Sequence, residues 1–157
     1  SADPSYGPAY IGRANVLRAQ GDLDGATSDL NQAIRLTPES AEAYHARGLV
    51  RQKQNHNPEA IGDFAAAIDR NPFVAAPYAA RGQSLISLGQ YDKAIEDFNA
   101  ALNVNAKDAG SWAYRGLAYE KTNRRKEANE SYQQAARLDP NNAVAKQGVG
   151  RMQGGLF

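Results

Sequence analysis

Residues 75–108 read AAPYAARGQSLISLGQYDKAIEDFNAALNVNAKD, and this stretch decides the fold. Tyr78, Gly82 and Leu85 recur at the spacing of one helix face. Gly89-Gln90 then supplies a turn, and Ile95, Phe98, Ala101 and Leu102 form a second helical stripe. The same sentence is written in the other units, each shifted by 34 residues. Tyr10, Tyr44, Tyr78 and Trp112 share one column, and Ala14, Gly48, Gly82 and Gly116 share another. So do Ala26, Ala60, Ala94 and Ala128, then Leu30, Phe64, Phe98 and Tyr132, then Ala33, Ala67, Ala101 and Ala135. Proline closes three units at Pro38, Pro72 and Pro140, and Ala106 stands in the fourth place. Each unit therefore reads as a helical hairpin of two helices, roughly 12–14 residues each. Neither helix can bury its apolar stripe alone, so neighbouring hairpins must share a core.

Composition agrees with that reading and narrows the function. Lys plus Arg total 18 and Asp plus Glu 17, a formal charge of +1, which is no field for nucleic acid or an anionic membrane. Hydrophobic residues at 42% against 22% charged place the chain among globular proteins rather than disordered ones. No apolar run approaches the length of a membrane span, so membrane insertion is not expected. Without cysteine, there are no disulfides, thiolate metal sites or cysteine nucleophiles.

The columns resemble the tetratricopeptide repeat over nearly the whole chain: aromatic, small residue, turn, Ala, aromatic, Ala and Pro keep that family's order and spacing. The resemblance implies an all-α fold, an α-solenoid in which helical hairpins wind as a right-handed superhelix. Its units fall at 7–40, 41–74, 75–108 and 109–142, followed by a capping helix over 143–153 and a frayed tail over 154–157. Residues 1–6 read as the end of an upstream repeat, because Ala2-Asp3-Pro4 lies in register with Leu138-Asp139-Pro140. The second unit departs most. Its turn, Asn55-His56-Asn57-Pro58, lacks the usual glycine and is expected to be irregular, and Arg51 replaces the apolar residue found at Leu17, Leu85 and Tyr119.

One column differs from the family's commonest pattern: Arg13, Arg47, Arg81 and Arg115. An arginine on the packed side of a helix needs a partner, because an unpaired buried charge is costly. The second helices offer Asp29, Asp63 and Asp97, then Ser131. The capping helix has Val149 in the arginine column, so the acid vanishes where no arginine follows. This predicts pairs between successive repeats, Asp29–Arg47, Asp63–Arg81 and Asp97–Arg115, with Arg13 facing an upstream acid. The ladder is read as setting the stacking register.

Catalytic and metal signals are weak, so no enzyme activity, cofactor or metal is expected. His45 and His56 are 11 residues apart across a turn, which is not metal-ligand spacing. Gly148-Val149-Gly150 followed by Gly154 misses the dinucleotide-binding spacing, and no strand precedes it. The run Lys121-Thr122-Asn123-Arg124-Arg125-Lys126 reads as a solvated loop, since nucleic-acid binding would want interleaved aromatics and a positive total. Asn129-Glu130-Ser131 matches a glycosylation sequon but falls in mid-helix.

In the family, the stripe beside the first-helix core lines a groove that receives a peptide. Carried over, that stripe is Ile11, Asn15 and Arg18, then His45, Leu49, Gln52 and Lys53. The third unit gives Ala79, Gln83 and Ile86, and the fourth gives Ala113, Leu117, Glu120 and Lys121. Aliphatic side chains there suit a partner's apolar residues, and Asn15, His45, Gln52 and Gln83 suit its backbone. The capping helix is also a candidate to fold across Leu117. Some chaperone-partner members hold a C-terminal carboxylate with a Lys/Asn/Lys/Arg set. Only Asn15 matches it, because Ile11, Ala46, Ala76 and Ala80 take the other places. The expected function is a non-enzymatic protein–protein interaction module, an adaptor binding a peptide segment of a protein partner in the concave groove. The alternatives are a self-assembling structural scaffold, with a homo-oligomer possible, and a targeting arm of a larger enzyme. Arginine-then-glycine repeats resemble those of bacterial members, several of them envelope lipoproteins, which favours the bacterial envelope slightly over the cytoplasm.

Overall fold

The computed structural model describes residues 6–154. The upstream-repeat remnant expected at Ala2-Asp3-Pro4 and the tail beyond Gly154 lie outside them. Among the described residues there are nine helices and no strand. The helices are α1 (Gly7–Ala19), α2 (Leu23–Leu36), α3 (Ala41–Lys53), α4 (Asn57–Arg70), α5 (Ala75–Ser87), α6 (Tyr91–Val104), α7 (Ala109–Lys121), α8 (Arg125–Leu138) and α9 (Ala143–Gly154). The chain divides between Phe73 and Val74 into two compact units, one holding α1–α4 and the other α5–α9.

Each hairpin turns through the same device. One residue adopts a left-handed backbone: Gly21 at φ 87°, Asn55 at 63°, Gly89 at 74° and Asn123 at 60°. Its N–H bonds back three residues and the next N–H bonds back five, as in Gly21 to Arg18 O (3.0 Å) and Asp22 to Leu17 O (2.9 Å). The second hairpin was expected to turn irregularly and does not. Asn55 donates to Gln52 O at 3.0 Å and His56 to Arg51 O at 2.8 Å. Asparagine tolerates the left-handed region better than other side-chain-bearing residues, so it replaces glycine there. Asp22 and Ser40 cap their helices by accepting from Gly25 N at 2.9 Å and Ala43 N at 3.1 Å.

The small-residue column lets the paired helices close up. A Cβ built on Gly48 would stand 2.5 Å from Phe64 Cε1, and one on Gly82 would stand 2.7 Å from Phe98 Cζ. The aromatic ring of the second helix thus rests on the bare backbone of the first. Both phenylalanines are fully buried. The first hairpin meets the same requirement with a smaller ring-free pair, Ala14 and Leu30, buried in one cluster with Ala26, Ala33 and Ala46. In the second unit, Tyr132 packs with Ala128 and Met152, and Leu117, Tyr119, Val144 and Val149 lie against them.

The arginine–aspartate pairs form within hairpins rather than between successive ones. Arg13 donates to Asp29 through Nε at 2.7 Å and Nη2 at 2.5 Å. Arg47 reaches Asp63 at 3.0 and 2.8 Å, and Arg81 reaches Asp97 at 2.8 Å through both Nε and Nη2. The expected pairs Asp29–Arg47, Asp63–Arg81 and Asp97–Arg115 are therefore corrected, and Arg13 has its acid in its own hairpin. The cause is the close approach just described, which lays the two columns side by side and presents each fork to one carboxylate. Asp63 also receives Arg51 Nη1 at 2.9 Å, which explains the polar residue in that apolar column. What links successive hairpins is an amide: Arg47 Nη1 donates to Asn31 at 3.0 Å, and Arg115 Nη1 to Asn99 at 2.8 Å.

The fourth hairpin lacks the acid. Arg115 Nε donates to Ser131 Oγ at 3.2 Å, and its guanidinium lies 4.6 Å from the centre of the Trp112 ring and 5.5 Å from that of Tyr119. Burial pushes its basicity below the ordinary arginine value, as expected for a cation whose nearest acceptors are neutral.

Two outcomes follow from this packing. Gly82→Ala should lower stability to urea by about 1–3 kcal/mol through overpacking. Adding Phe98→Leu, which recreates the Ala14–Leu30 pairing, should recover part of that loss in a double-mutant cycle. Ser131→Asp should raise the urea midpoint by an amount worth about 1 kcal/mol, because it returns a charged acceptor to Arg115. An unchanged or lower midpoint would show that the serine is preferred for packing.

Candidate functional site

The stripe beside the first-helix core mixes polar and apolar residues in α1 and α3. Ile11, Asn15, Arg18, His45 and Leu49 converge there with Glu42 and Ala46 around one hollow of about 200 Å³. All seven come from α1 and α3. Ile11 and Ala46 are buried in its floor, Arg18, His45 and Leu49 are half-buried, and Asn15 and Glu42 are exposed. Leu49 therefore presents apolar surface beside four side chains able to hydrogen bond.

Two electrostatic features mark this hollow. Arg18 Nη1 is buried without a hydrogen-bond partner, alone in that respect among the described residues. His45 is held below the ordinary histidine value, first by burial and then by the Arg18 charge. Its ring also lies 5.8 Å from that of Phe64, centre to centre. Lys53 stands outside the hollow and donates from Nζ to Arg18 O at 3.3 Å. Gln52 is half-buried on the same helix.

The second unit distributes its expected groove residues differently. Ala79, Gln83 and Ile86 are half-buried on α5. Ala113, expected in the groove, is instead fully buried in a cluster with Ala135 and Ala145. Leu117 packs against the cluster of Tyr132 and Met152. Glu120 is engaged too: Arg151 donates to it at 2.9 Å through both Nε and Nη2, and the Tyr132 hydroxyl donates to it at 2.7 Å. The Arg151 bonds hold the Glu120 carboxyl below its ordinary value, while burial and then Glu120 raise the Tyr132 phenol. These three positions are covered because α9 packs on α7 and α8, and Lys121 alone of the four is exposed.

The unpartnered nitrogen of Arg18 carries no signal in the sequence, where the residue is one arginine among many. The basic run of the fourth turn is partly tied down, with Arg124 bonding Asp92 at 3.0 Å and Arg125 reaching Arg151 O and Met152 O at 3.5 Å. Among the described residues no three His, Asp or Glu side chains gather as a metal site would require, and no helix is long and apolar enough to cross a membrane.

A family model described as TPR repeat matches residues 14–55 and 82–123, and one described as tetratricopeptide repeat matches 109–142. The chain belongs to the tetratricopeptide repeat family. Its fold is that of solved tetratricopeptide proteins. It superposes on MamA with a TM-score of 0.81 and 26% identity, over 88% of this chain and 81% of that one. For YrrB, a tetratricopeptide protein with an unusual peptide-binding site, the score is 0.79 at 23% identity, over 96% of this chain and 77% of that one. For the first such domain of Spaghetti (RPAP3), bound to the HSP90 peptide SRMEEVD, it is 0.71 at 24% identity, over 74% and 92%. Among curated protein sequences none matches the chain.

The state of His45 gives this tetratricopeptide chain a pH-dependent stability. The unfolded chain takes up the proton near pH 6.5, the folded one only at lower pH. Stability should thus be full above about pH 6.5 and decline as pH falls through the folded value. NMR titration should place the His45 midpoint below 6.5. The loss of melting temperature between pH 7.5 and 5 should shrink in His45→Gln, both values being about those of standard buffers.

Proposed function

We propose that the chain is a non-enzymatic interaction module whose α1/α3 face receives a peptide segment of a protein partner. The observation that carries this reading is the convergence of Ile11, Asn15, Arg18, His45 and Leu49 around one hollow. A peptide leaving water must satisfy its backbone N–H and C=O groups and bury its anchoring side chain. Asn15 and His45 offer the first, and the wall of Ile11, Ala46 and Leu49 offers the second. The fold supports the same reading, since YrrB and the Spaghetti domain use it around peptides. In the other unit, Gln83 and Ile86 on α5 repeat the pairing of an amide with an aliphatic residue.

Selection of binders from a random peptide library, followed by affinity measurement, tests this. Leu49→Glu should weaken the selected peptides by at least about tenfold, equivalent to losing one buried apolar anchor. Helicity and melting should change little, because the Leu49 side chain is only half-buried. Selected peptides that bind the variant as tightly as the parent would reject this face as the site.

A further inference from the structure

We propose that α1 carries a second docking surface, outside the hollow, for an amphipathic helix of a partner protein that brings an amide side chain to Arg13. The observation behind it is a difference between equivalent helices. In α3, Ala43, Ala46 and Val50 are buried in one cluster with Leu23, Leu30, Ala33 and Ile34 of the preceding α2. In α7, Ala118 stands at the place of Val50 and is fully buried too, with α6 packed on that helix. The same column in α1 is Ala9, Gly12 and Val16. Val16 is 56% exposed where Val50 is 1% exposed. Gly12 is exposed, with open space where a Cβ would stand, and Ala9 is only half-buried. Among the described residues α1 packs on α2 and α3, which leave this face open. An exposed apolar stripe in register with buried ones marks a contact surface.

A polar contact repeats the comparison. Arg47 Nη1 donates to Asn31 of α2 at 3.0 Å and Arg115 Nη1 to Asn99 of α6 at 2.8 Å, each reaching back to the preceding second helix. Arg13 uses Nε and Nη2 on Asp29, and its Nη1 has no acceptor among the described residues. Its side chain is 45% exposed against 18% for that of Arg47. Asp29 already balances the charge, so the missing complement is a neutral acceptor, as the amides are elsewhere. The existing contacts also define the rest of the occupant. Asn31 is followed three residues on by Ile34, and Asn99 by Leu102, while Thr27 and Ile95 stand four residues before. A helix fits α1 when it carries an amide with a β-branched residue four before and an aliphatic one three after, all on one face. Ala9 and Gly12 let its backbone come close. No residue of this stripe of α1 lines the hollow, so the surface stands apart from the peptide site.

The probe is the α6 sequence itself, Tyr91–Val104, as an acetylated and amidated peptide. A lactam between its Lys93 and Asp97, four residues apart and off the stripe of Ile95, Asn99 and Leu102, holds it helical. Titrated into the whole chain, it should shift the NMR signals of Gly12, Arg13 and Val16 and leave those of His45 and Leu49 in place. Asn99→Leu in the peptide should weaken binding by about tenfold, the loss of one hydrogen bond to a charged donor. Arg13→Lys in the protein keeps a cation for Asp29 but removes Nη1, and should weaken binding similarly. Both changes together should weaken it no further than either alone, which identifies a direct contact. Val16→Glu should abolish binding with melting unchanged, because that side chain is exposed. An Asn99→Leu peptide as tight as its parent, undiminished binding to Val16→Glu, or no shift at Gly12, Arg13 and Val16 at millimolar peptide overturns the proposal. So does movement of these signals with the concentration of the chain alone, which would make a second copy the occupant.

Discussion

The rest of the architecture depends on a steric fit, the seating of a second-helix ring on first-helix backbone that carries no side chain. Where Phe64 covers Gly48 and Phe98 covers Gly82, the two helix axes stand as close as a ring's thickness allows. That distance brings the arginine of one helix within a single hydrogen bond of the aspartate on the other. The neighbouring stripe of α1 and α3 lines the hollow. Core and ion pairs are therefore consequences of one spacing, which explains why the glycine and aromatic columns vary together. Ala14 with Leu30 is the variation that keeps the sum of the two side chains nearly constant.

The ion pairs do a different job from the rings. Each carboxylate is buried almost completely while its arginine keeps some exposure, from 18% for the Arg47 side chain to 45% for that of Arg13. Pairs so placed add modest net stability, because desolvation offsets much of the attraction. They do penalise any slip of one helix along the other, since a one-residue shift would bury a charge unpaired. The bridging amides Asn31 and Asn99 extend that control to the neighbouring hairpin at lower electrostatic cost. In the fourth hairpin Ser131 stands where the others use an acid, the guanidinium lies on the faces of Trp112 and Tyr119, and burial lowers its basicity.

Periodicity made the hairpins legible, because every column that repeats is one that packs. The pairing of the ladder was not legible for the same reason. In a 34-residue repeat, Asp29 lies 16 residues after Arg13 and 18 before Arg47, so the columns alone fit either partner. Only the close approach of the two helices within each hairpin decides for the nearer choice. The turn at Asn55 was misread because glycine was taken as the requirement, when the requirement is a left-handed backbone that asparagine also supplies. On α7, Ala113, Leu117 and Glu120 looked like groove residues by register. The sequence marks α9 as helical, but Arg151 and Met152 had to be seen in place before their hold on that surface was evident.

The column holding Arg18 shows where selection for packing stops. Its equivalents are Gln52, Ile86 and Glu120, a cation, an amide, an alkyl chain and an anion in turn. A position required by the fold could not accept four such chemistries, as the invariant alanine at 26, 60, 94 and 128 makes plain. Glu120 has its counter-ion within the chain, in Arg151. Arg18 has none for Nη1, although a carboxylate sits on the same rim. The repeat thus holds its backbone constant and varies the charge it offers along one stripe.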